Sequence, residues 1–160
     1  VKTPDNEVVA RISPTQINIQ KHLLASQQYF SQALQAQSMG EAQEVIQFLN
    51  KSLEEAGMAI ANFGDDFRGY QQRGKIYQSL ISASEILNEQ DKQFLSQAIN
   101  DFSKAYKLNT ELAEISRDLA NLYAKAGDAT KTIFYLSETI RIEPTKAQNF
   151  YRFKIGRAHV

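Results

Sequence analysis

The pattern of apolar and polar positions between Ala113 and Lys146 indicates one complete helix-turn-helix unit of 34 residues. Apolar or small residues recur there at helical spacing in two runs, first Ile115, Leu119, Leu122, Tyr123 and Ala126, then Ile133, Leu136 and Ile140. Gly127 and Asp128 interrupt the period between the runs, and Pro144 ends the second one. The pattern predicts two short amphipathic helices that pack antiparallel.

A helical pair of this size cannot bury its own apolar faces, so it needs similar pairs beside it, as in solenoid repeats. The signature positions of a repeat in this stretch are occupied by Ser116, Leu119, Ala120, Tyr123, Thr132, Leu136 and Pro144. Ser116 replaces the aromatic residue of the signature, and Thr132 replaces its alanine. Those in the preceding stretch are Tyr70, Arg73, Gly74, Tyr77, Ala98, Phe102 and Ala105. Together they resemble the tetratricopeptide repeat, whose signature is an aromatic, Leu-Gly, Tyr, Ala-x3-Phe and Pro at fixed offsets. The resemblance implies an all-α fold, a right-handed α-α superhelix of about three antiparallel pairs plus a truncated helix.

The earlier repeat is longer than the later one. Tyr77 and Ala98 are 21 positions apart, whereas Tyr123 and Thr132 are 9 apart, so twelve residues have been added. Leu80, Ile81 and Leu87 extend the apolar stripe of the first helix in this insertion. We therefore expect that helix to run to about Asn88, Asp91 to cap the next helix, and the pair to project about two turns past its neighbours.

A third helical pair precedes the two repeats, over residues 14–63. Ser13 and Pro14 form a helix-start signal, and Ile19, Leu23, Phe30, Ala33 and Leu34 line one face of the helix that follows. Met39 and Gly40 make a break before a second helix, whose apolar stripe is Val45, Leu49, Leu53, Ala56, Ile60 and Phe63. Gly64, Asp65 and Asp66 end that helix and cap the next one. This pair lacks the repeat signature, which is expected of an atypical terminal pair.

The predicted pairs therefore span about 14–63, 67–108 and 113–146. Residues 1–13 are expected to be a linker or extended tail, and residues 147–153 to begin another first helix with Phe150 at the aromatic position. Residues 154–160 back-translate to the start of a common sequencing adapter, so we interpret them as a read-through scar. The sequence begins at Val1 rather than Met, so further sequence is expected upstream.

Composition excludes several classes of protein. The 18 basic and 18 acidic residues balance, so no basic surface for nucleic acid is indicated. Cysteine is absent, which excludes disulfides and cysteine metal sites but leaves the compartment open. No apolar run approaches the roughly 20 residues of a membrane span.

The titratable residues give no sign of an active site. His22 stands alone, and the acidic pairs Glu54–Glu55 and Asp65–Asp66 are better explained by a helix surface and a helix cap. Phosphate-loop, nucleophile-elbow and zinc-protease motifs are absent. We therefore expect a protein that is not an enzyme and that needs no cofactor or metal. The aromatics at signature positions, Tyr70, Tyr77, Phe102 and Tyr123, are expected to pack between helices.

The resemblance places partner binding on the concave face, at polar positions of each first helix. Transferred by counting, these positions are Arg68, Gln71, Lys75, Gln78, Glu114, Arg117, Asn121 and Lys125. Arg117 and Asn121 resemble half of a clamp for a peptide carboxylate, which Arg152 would extend, and the alternative is a solvated face. Arg68 and Lys75 favour acidic ligands.

Three hypotheses about function remain open. The first is a non-catalytic scaffold that binds a peptide or partner protein in its concave groove. The second is a soluble appendage of a larger membrane protein or enzyme whose working part lies upstream. The third is self-assembly through the last, incomplete repeat, which carries Phe150, Tyr151 and Phe153.

Overall fold

In a computed structural model, which describes residues 14–145, the chain forms six α-helices. They are α1 (Pro14–Met39), α2 (Ala42–Asn62), α3 (Phe67–Leu80), α4 (Glu89–Leu108), α5 (Ala113–Lys125) and α6 (Ala129–Ile142). No strand occurs within this range, so the predicted all-α class is confirmed. Within the described range, the helices group into two compact units, residues 14–76 and 77–145, and the division falls within α3. The predictions for residues 1–13 and 146–160 lie outside the described residues.

In the first unit, α1 and α2 form an antiparallel hairpin. Gly40 has a φ of 77°, a left-handed conformation that favours glycine, so the predicted break at this position is confirmed. Ile19 and Leu23 of α1 pack with Ala59 and the half-buried Phe63 in the core of the hairpin. The apolar stripe of α2 faces inward as its spacing predicts, because Ala56 is fully buried and its apolar neighbours in the stripe are half-buried.

Two buried serines join α1 and α2 by reciprocal hydrogen bonds. The Ser26 hydroxyl donates to the Ser52 carbonyl oxygen at 2.8 Å, and the Ser52 hydroxyl donates to the Ser26 carbonyl oxygen at 2.7 Å. Gln72 of α3 donates from Nε2 to Ser26 Oγ at 3.3 Å. Ser26 and Ser52 occupy buried positions that the apolar pattern did not predict. Leu34, which the pattern predicted to face the core, is half-exposed at 50%. The small serine side chains let polar groups meet across the two helices and satisfy one another.

The insertion does not extend the helix as predicted, because α3 ends at Leu80. Residues 81–88 form a loop that the buried carboxylate of Asp91 holds closed, accepting from Ser82 N at 2.9 Å and from Ser82 Oγ at 2.8 Å. The cap of α4 is Asn88 rather than Asp91. Asn88 Oδ1 accepts from Asp91 N at 2.8 Å, and Asp91 Oδ2 accepts from Asn88 N at 3.3 Å, which completes a capping box. The prediction of an overlong pair was therefore wrong.

The second unit is built around α4, α5 and α6. Phe102, Ile115 and Leu119 are fully buried, and Gly127 has a φ of 79° at the predicted break between α5 and α6. The inward face of α6 differs from the prediction, because Ile133 and Ile140 are exposed while Thr139 is buried. Thr139 Oγ1 lies 2.9 Å from the buried hydroxyl of Ser116 on α5. This polar pair sets the rotation of α6 that the apolar period alone did not predict.

Aromatic rings also pack between helices in the second unit. Tyr77 stacks on Phe94 at a centroid distance of 6.3 Å, and Tyr123 stacks on Tyr135 at 5.6 Å. Tyr135 also meets the edge of Tyr106 at 5.3 Å. The expected packing role is confirmed for Phe102, Tyr77 and Tyr123.

Candidate functional site

In the first unit, side chains of α1 and α3 line the same group of cavities. Three adjoining cavities of about 580, 450 and 170 Å³ open there, and Arg68 lines all three. We call this surface the α1–α3 groove. Its lining residues on α1 and α3 are Gln16, Ile17, Ile19, Gln20, Lys21, Leu23, Leu24, Gln27, Arg68, Gln71, Gln72 and Lys75.

The lining is amphipathic and carries charge of both signs at different places. Ile17 and Leu24, 57% and 49% exposed, give the largest cavity an apolar wall. No acidic residue lines the largest or the smallest cavity, in which the ionic groups are Lys21, Arg68 and Lys75. The remaining cavity, of about 450 Å³, is lined in part by Asp65 and Asp66. The groove therefore carries basic groups on both α1 and α3, and acidic groups at the turn that precedes α3.

Arg68 is held in place at the centre of this groove. Its Nε donates to Asp66 Oδ1 at 3.0 Å, its Nη2 donates to Asp66 Oδ2 at 2.8 Å, and its Nη1 donates to Gln20 Oε1 at 3.3 Å. The hydrogen bonds from the Arg68 guanidinium lower the pKa of Asp66 and raise the pKa of Arg68 itself. Both groups therefore stay charged over the physiological range.

Asp66 also starts α3. Its Oδ1 accepts from Arg68 N at 2.9 Å, which satisfies one of the free amide groups at the beginning of the helix. The sequence-based prediction of a cap at Asp65 or Asp66 is confirmed by this bond. One carboxylate thus fixes both the backbone and the side chain of Arg68.

The structure places the predicted partner-binding residues in two separate groups. Arg68, Gln71 and Lys75 come together in the smallest cavity of the α1–α3 groove. The others belong to the second unit, where Gln78 Nε2 donates to Asp118 Oδ1 at 3.4 Å and Arg117 Nη2 lies 3.6 Å from Glu143 Oε2. Glu114 is half-buried, and Asn121 and Lys125 are exposed.

Sequence reasoning missed the α1 side of the groove. Gln20, Lys21, Leu24 and Gln27 were not singled out, because the first helical pair lacks the repeat signature and so offers no register from which to count. A usable signal was present, since Ile17 and Leu24 lie seven residues apart, on one side of a helix, and outside the predicted core face.

His22, considered in the sequence as an isolated histidine, contacts the other helix of the hairpin. Its Nδ1 lies 2.6 Å from Glu55 Oε2, and both side chains are partly buried. This contact joins α1 to α2, so the carboxylate of Glu55 has a structural role. Between residues 14 and 145, no cluster of three or more histidine or acidic side chains could hold a metal ion.

Comparison with known proteins shows the fold. No protein-family model matches this sequence, and no curated protein matches it significantly. Solved structures do match, and they identify an all-α fold of the tetratricopeptide-repeat type, which confirms the resemblance at the level of the fold. None of the described helices is long and apolar enough to cross a membrane.

The similar structures include TTC0263, a thermophilic tetratricopeptide-repeat protein of Thermus thermophilus. It is 19% identical with a TM-score of 0.53, and the match covers 76% of each chain. Human IFIT1, solved as a dimer with PPP-AAAA, is 19% identical with a TM-score of 0.55, and 73% of this chain matches 33% of that protein. MamA is 18% identical with a TM-score of 0.50, over 83% of this chain and 76% of MamA.

Proposed function

We propose that this protein is a non-catalytic scaffold that binds a partner protein through the α1–α3 groove. The observation that carries the proposal is the row of three cavities joined by Arg68, on a fold that suits protein interaction. Binding in such a groove uses preformed shape and a few side-chain contacts rather than chemistry.

The lining favours an extended segment that carries both aliphatic and acidic side chains. Ile17 and Leu24 offer apolar surface to the aliphatic groups, and Lys21 and Lys75 attract carboxylates. Gln20, Gln27 and Gln71 can donate to and accept from a peptide backbone, because a carboxamide carries both kinds of group. In the second unit, Gln78, Glu114, Arg117, Asn121 and Lys125 are proposed as further contact positions.

The test is selection of peptides from a random display library against the whole chain, followed by affinity measurement on two variants. Leu24→Asp and Leu34→Asp place the same charge on α1 at residues of nearly equal exposure, 49% and 50%. Leu24 lines the groove, whereas Leu34 lines none of the three cavities. We expect the Leu24 variant to lose about tenfold or more in affinity and the Leu34 variant to bind as the parent does.

The composition of the selected peptides is a second readout. Enrichment of Asp or Glu next to Val, Ile or Leu is expected, and Lys21→Glu should weaken those peptides. Equal binding by both leucine variants, or selection of basic peptides, would contradict the proposal.

A further inference from the structure

We propose that two copies of this chain associate through the exposed edge of α6, as an antiparallel pair of helices. The contact surface is formed by Ala129, Ile133, Leu136 and Ile140, which we call the α6 stripe. These residues belong to the second unit and none of them lines the α1–α3 groove, so the inference does not depend on the proposed function.

The α6 stripe is apolar, and much of it is open to water. Ile133 is 65% exposed and Ile140 is 36% exposed, while Leu136 is half-buried. The buried contact between Ser116 and Thr139 turns a different side of α6 toward α5 and leaves the stripe outside. Apolar side chains grouped at the surface in this way favour association with another apolar surface.

The charged side chains of α6 are engaged away from the stripe. They are Lys131, Glu138 and Arg141. At 100° per residue, Lys131 and Glu138 lie about 160° and about 140° around the helix from Ile133. Arg141 Nη2 donates to Glu138 Oε2 at 3.1 Å and to Glu111 Oε1 at 3.2 Å, so its charge is balanced within one copy. Two stripes can therefore meet without bringing unpaired like charges together.

The spacing of the α6 stripe is the same in both directions. Its intervals are 4, 3 and 4 residues, which is the spacing of the seam between two paired helices. A twofold axis that places Ile133 opposite Leu136 of the other copy also places Ala129 opposite Ile140, so a small residue faces a large one at each end. Because the stripe is complementary to itself, we assign a second copy of the chain as its occupant.

The charges at the helix ends favour the antiparallel direction. This direction places the positive amino end of each α6 beside the negative carboxyl end of the other, whereas a parallel pair would place like ends together. Glu143, just past the carboxyl end, lies 3.6 Å from Arg117 of the same chain, so its charge is opposed within one copy. The stripe is about 17 Å long at 1.5 Å per residue, which is short for a stable interface, so we expect a weak dimer.

Sedimentation equilibrium of the whole chain measures the association over a concentration series that reaches about 1 mM. We expect the average mass of the parent to rise from monomer toward dimer. Ile133→Glu should stay monomeric, because it places a charge in the apolar seam. Ile46→Glu is the matched control, since Ile46 of α2 is 61% exposed, and this variant should associate as the parent does.

A parent that stays monomeric throughout the series, or equal association of the two glutamate variants, would overturn the proposal. A monomeric parent that loses stability to urea through Ile133→Glu but not through Ile46→Glu would also overturn it. In that case another segment of the same chain covers the stripe.

Disulfide cross-linking tests the direction of the pair. Because the sequence contains no cysteine, Ala129→Cys and Ile140→Cys each carry a single thiol. In the antiparallel pair these two positions face each other, whereas two copies of the same position lie about 16.5 Å apart along the helix axis. The Cα atoms of a disulfide are at most about 7 Å apart, so each variant alone should form few cross-links.

Mild oxidation of an equimolar mixture of the two variants should therefore yield the mixed dimer in excess of random pairing. A random distribution of the cross-links, or efficient cross-linking of either variant alone, would contradict the antiparallel contact.

Discussion

Oδ1 of Asp66 accepts two hydrogen bonds from Arg68, one from the backbone nitrogen at 2.9 Å and one from Nε at 3.0 Å. The first begins α3 and the second orients the side chain that lines every cavity of the α1–α3 groove. Folding of the helix and preorganisation of the groove therefore depend on the same carboxylate. Preorganisation of this kind reduces the cost of ordering side chains on binding.

Asp66→Asn tests the ionic part of this arrangement, because asparagine can still cap the helix. The pKa of Asp66 is lowered in the folded chain, so its stabilisation is present above the unfolded pKa of about 3.9 and is lost as pH falls through the lower folded value. The pair is partly exposed, so we expect the variant to be at most about 1 kcal/mol less stable near pH 6. Urea unfolding of both proteins at about pH 6 and about pH 2 should show the difference disappearing in acid. A difference that persists in acid would mean that the ion pair is not its source.

Gly69 and Gly57 provide a test and a matched control for the close packing of α3 on α2. A Cβ at Gly69 would lie 3.0 Å from Ile60 Cγ1 and 3.2 Å from the Ile60 backbone nitrogen, whereas a Cβ at Gly57 would meet nothing within 4 Å. We expect Gly69→Ala to destabilise the chain by about 1–3 kcal/mol, because α3 must move away from α2. Gly57→Ala should stabilise it by about 0.5–1 kcal/mol through helix propensity. Thermal unfolding of each variant shows whether its stability falls or rises relative to the parent. A stabilising Gly69→Ala would show that α3 does not pack this closely on α2.

Asn88 tests how the loop of residues 81–88 is closed. Asn88→Ala removes the acceptor for Asp91 N and should cost about 1 kcal/mol, while Asn88→Ser keeps a capping hydroxyl and should cost less. The bonds from Ser82 and Asn88 also lower the pKa of Asp91. Because Glu85 is exposed in this loop, cleavage there by a glutamate-specific protease should be faster in the alanine variant. Unchanged cleavage would indicate that the Ser82 bonds alone close the loop.

Tyr106 should make the second unit sensitive to alkali. Burial and the 2.6 Å hydrogen bond to Glu138 raise its pKa to about 12. A tyrosine with a raised pKa stabilises the fold fully below its unfolded pKa of about 10, and that contribution is lost as pH rises through about 12. In urea unfolding, the parent should lose stability more steeply than Tyr106→Phe between about pH 10 and about pH 12. Parallel curves for the two proteins would contradict the assignment.

Counting along the repeat signature predicted part of the lining of the α1–α3 groove. Counting along the signature placed Arg68, Gln71 and Lys75 together, and the structure finds them in one cavity. The α1 side of the same groove could not be found in this way, because Gln20 and Leu24 belong to a pair without the signature. Their contribution depends on the position of α1 beside α3, which is a contact between residues more than 40 positions apart.

The sequence by itself determined the type of each helix and the breaks at Gly40 and Gly127, because local spacing and left-handed backbone are properties of a few neighbouring residues. Only the tertiary structure decided the end of α3, where Asp91 reaches back nine residues to Ser82, and the rotation of α6, where Ser116 meets Thr139. These outcomes depend on buried polar groups finding partners far along the chain, and apolar periodicity carries no information about such pairs.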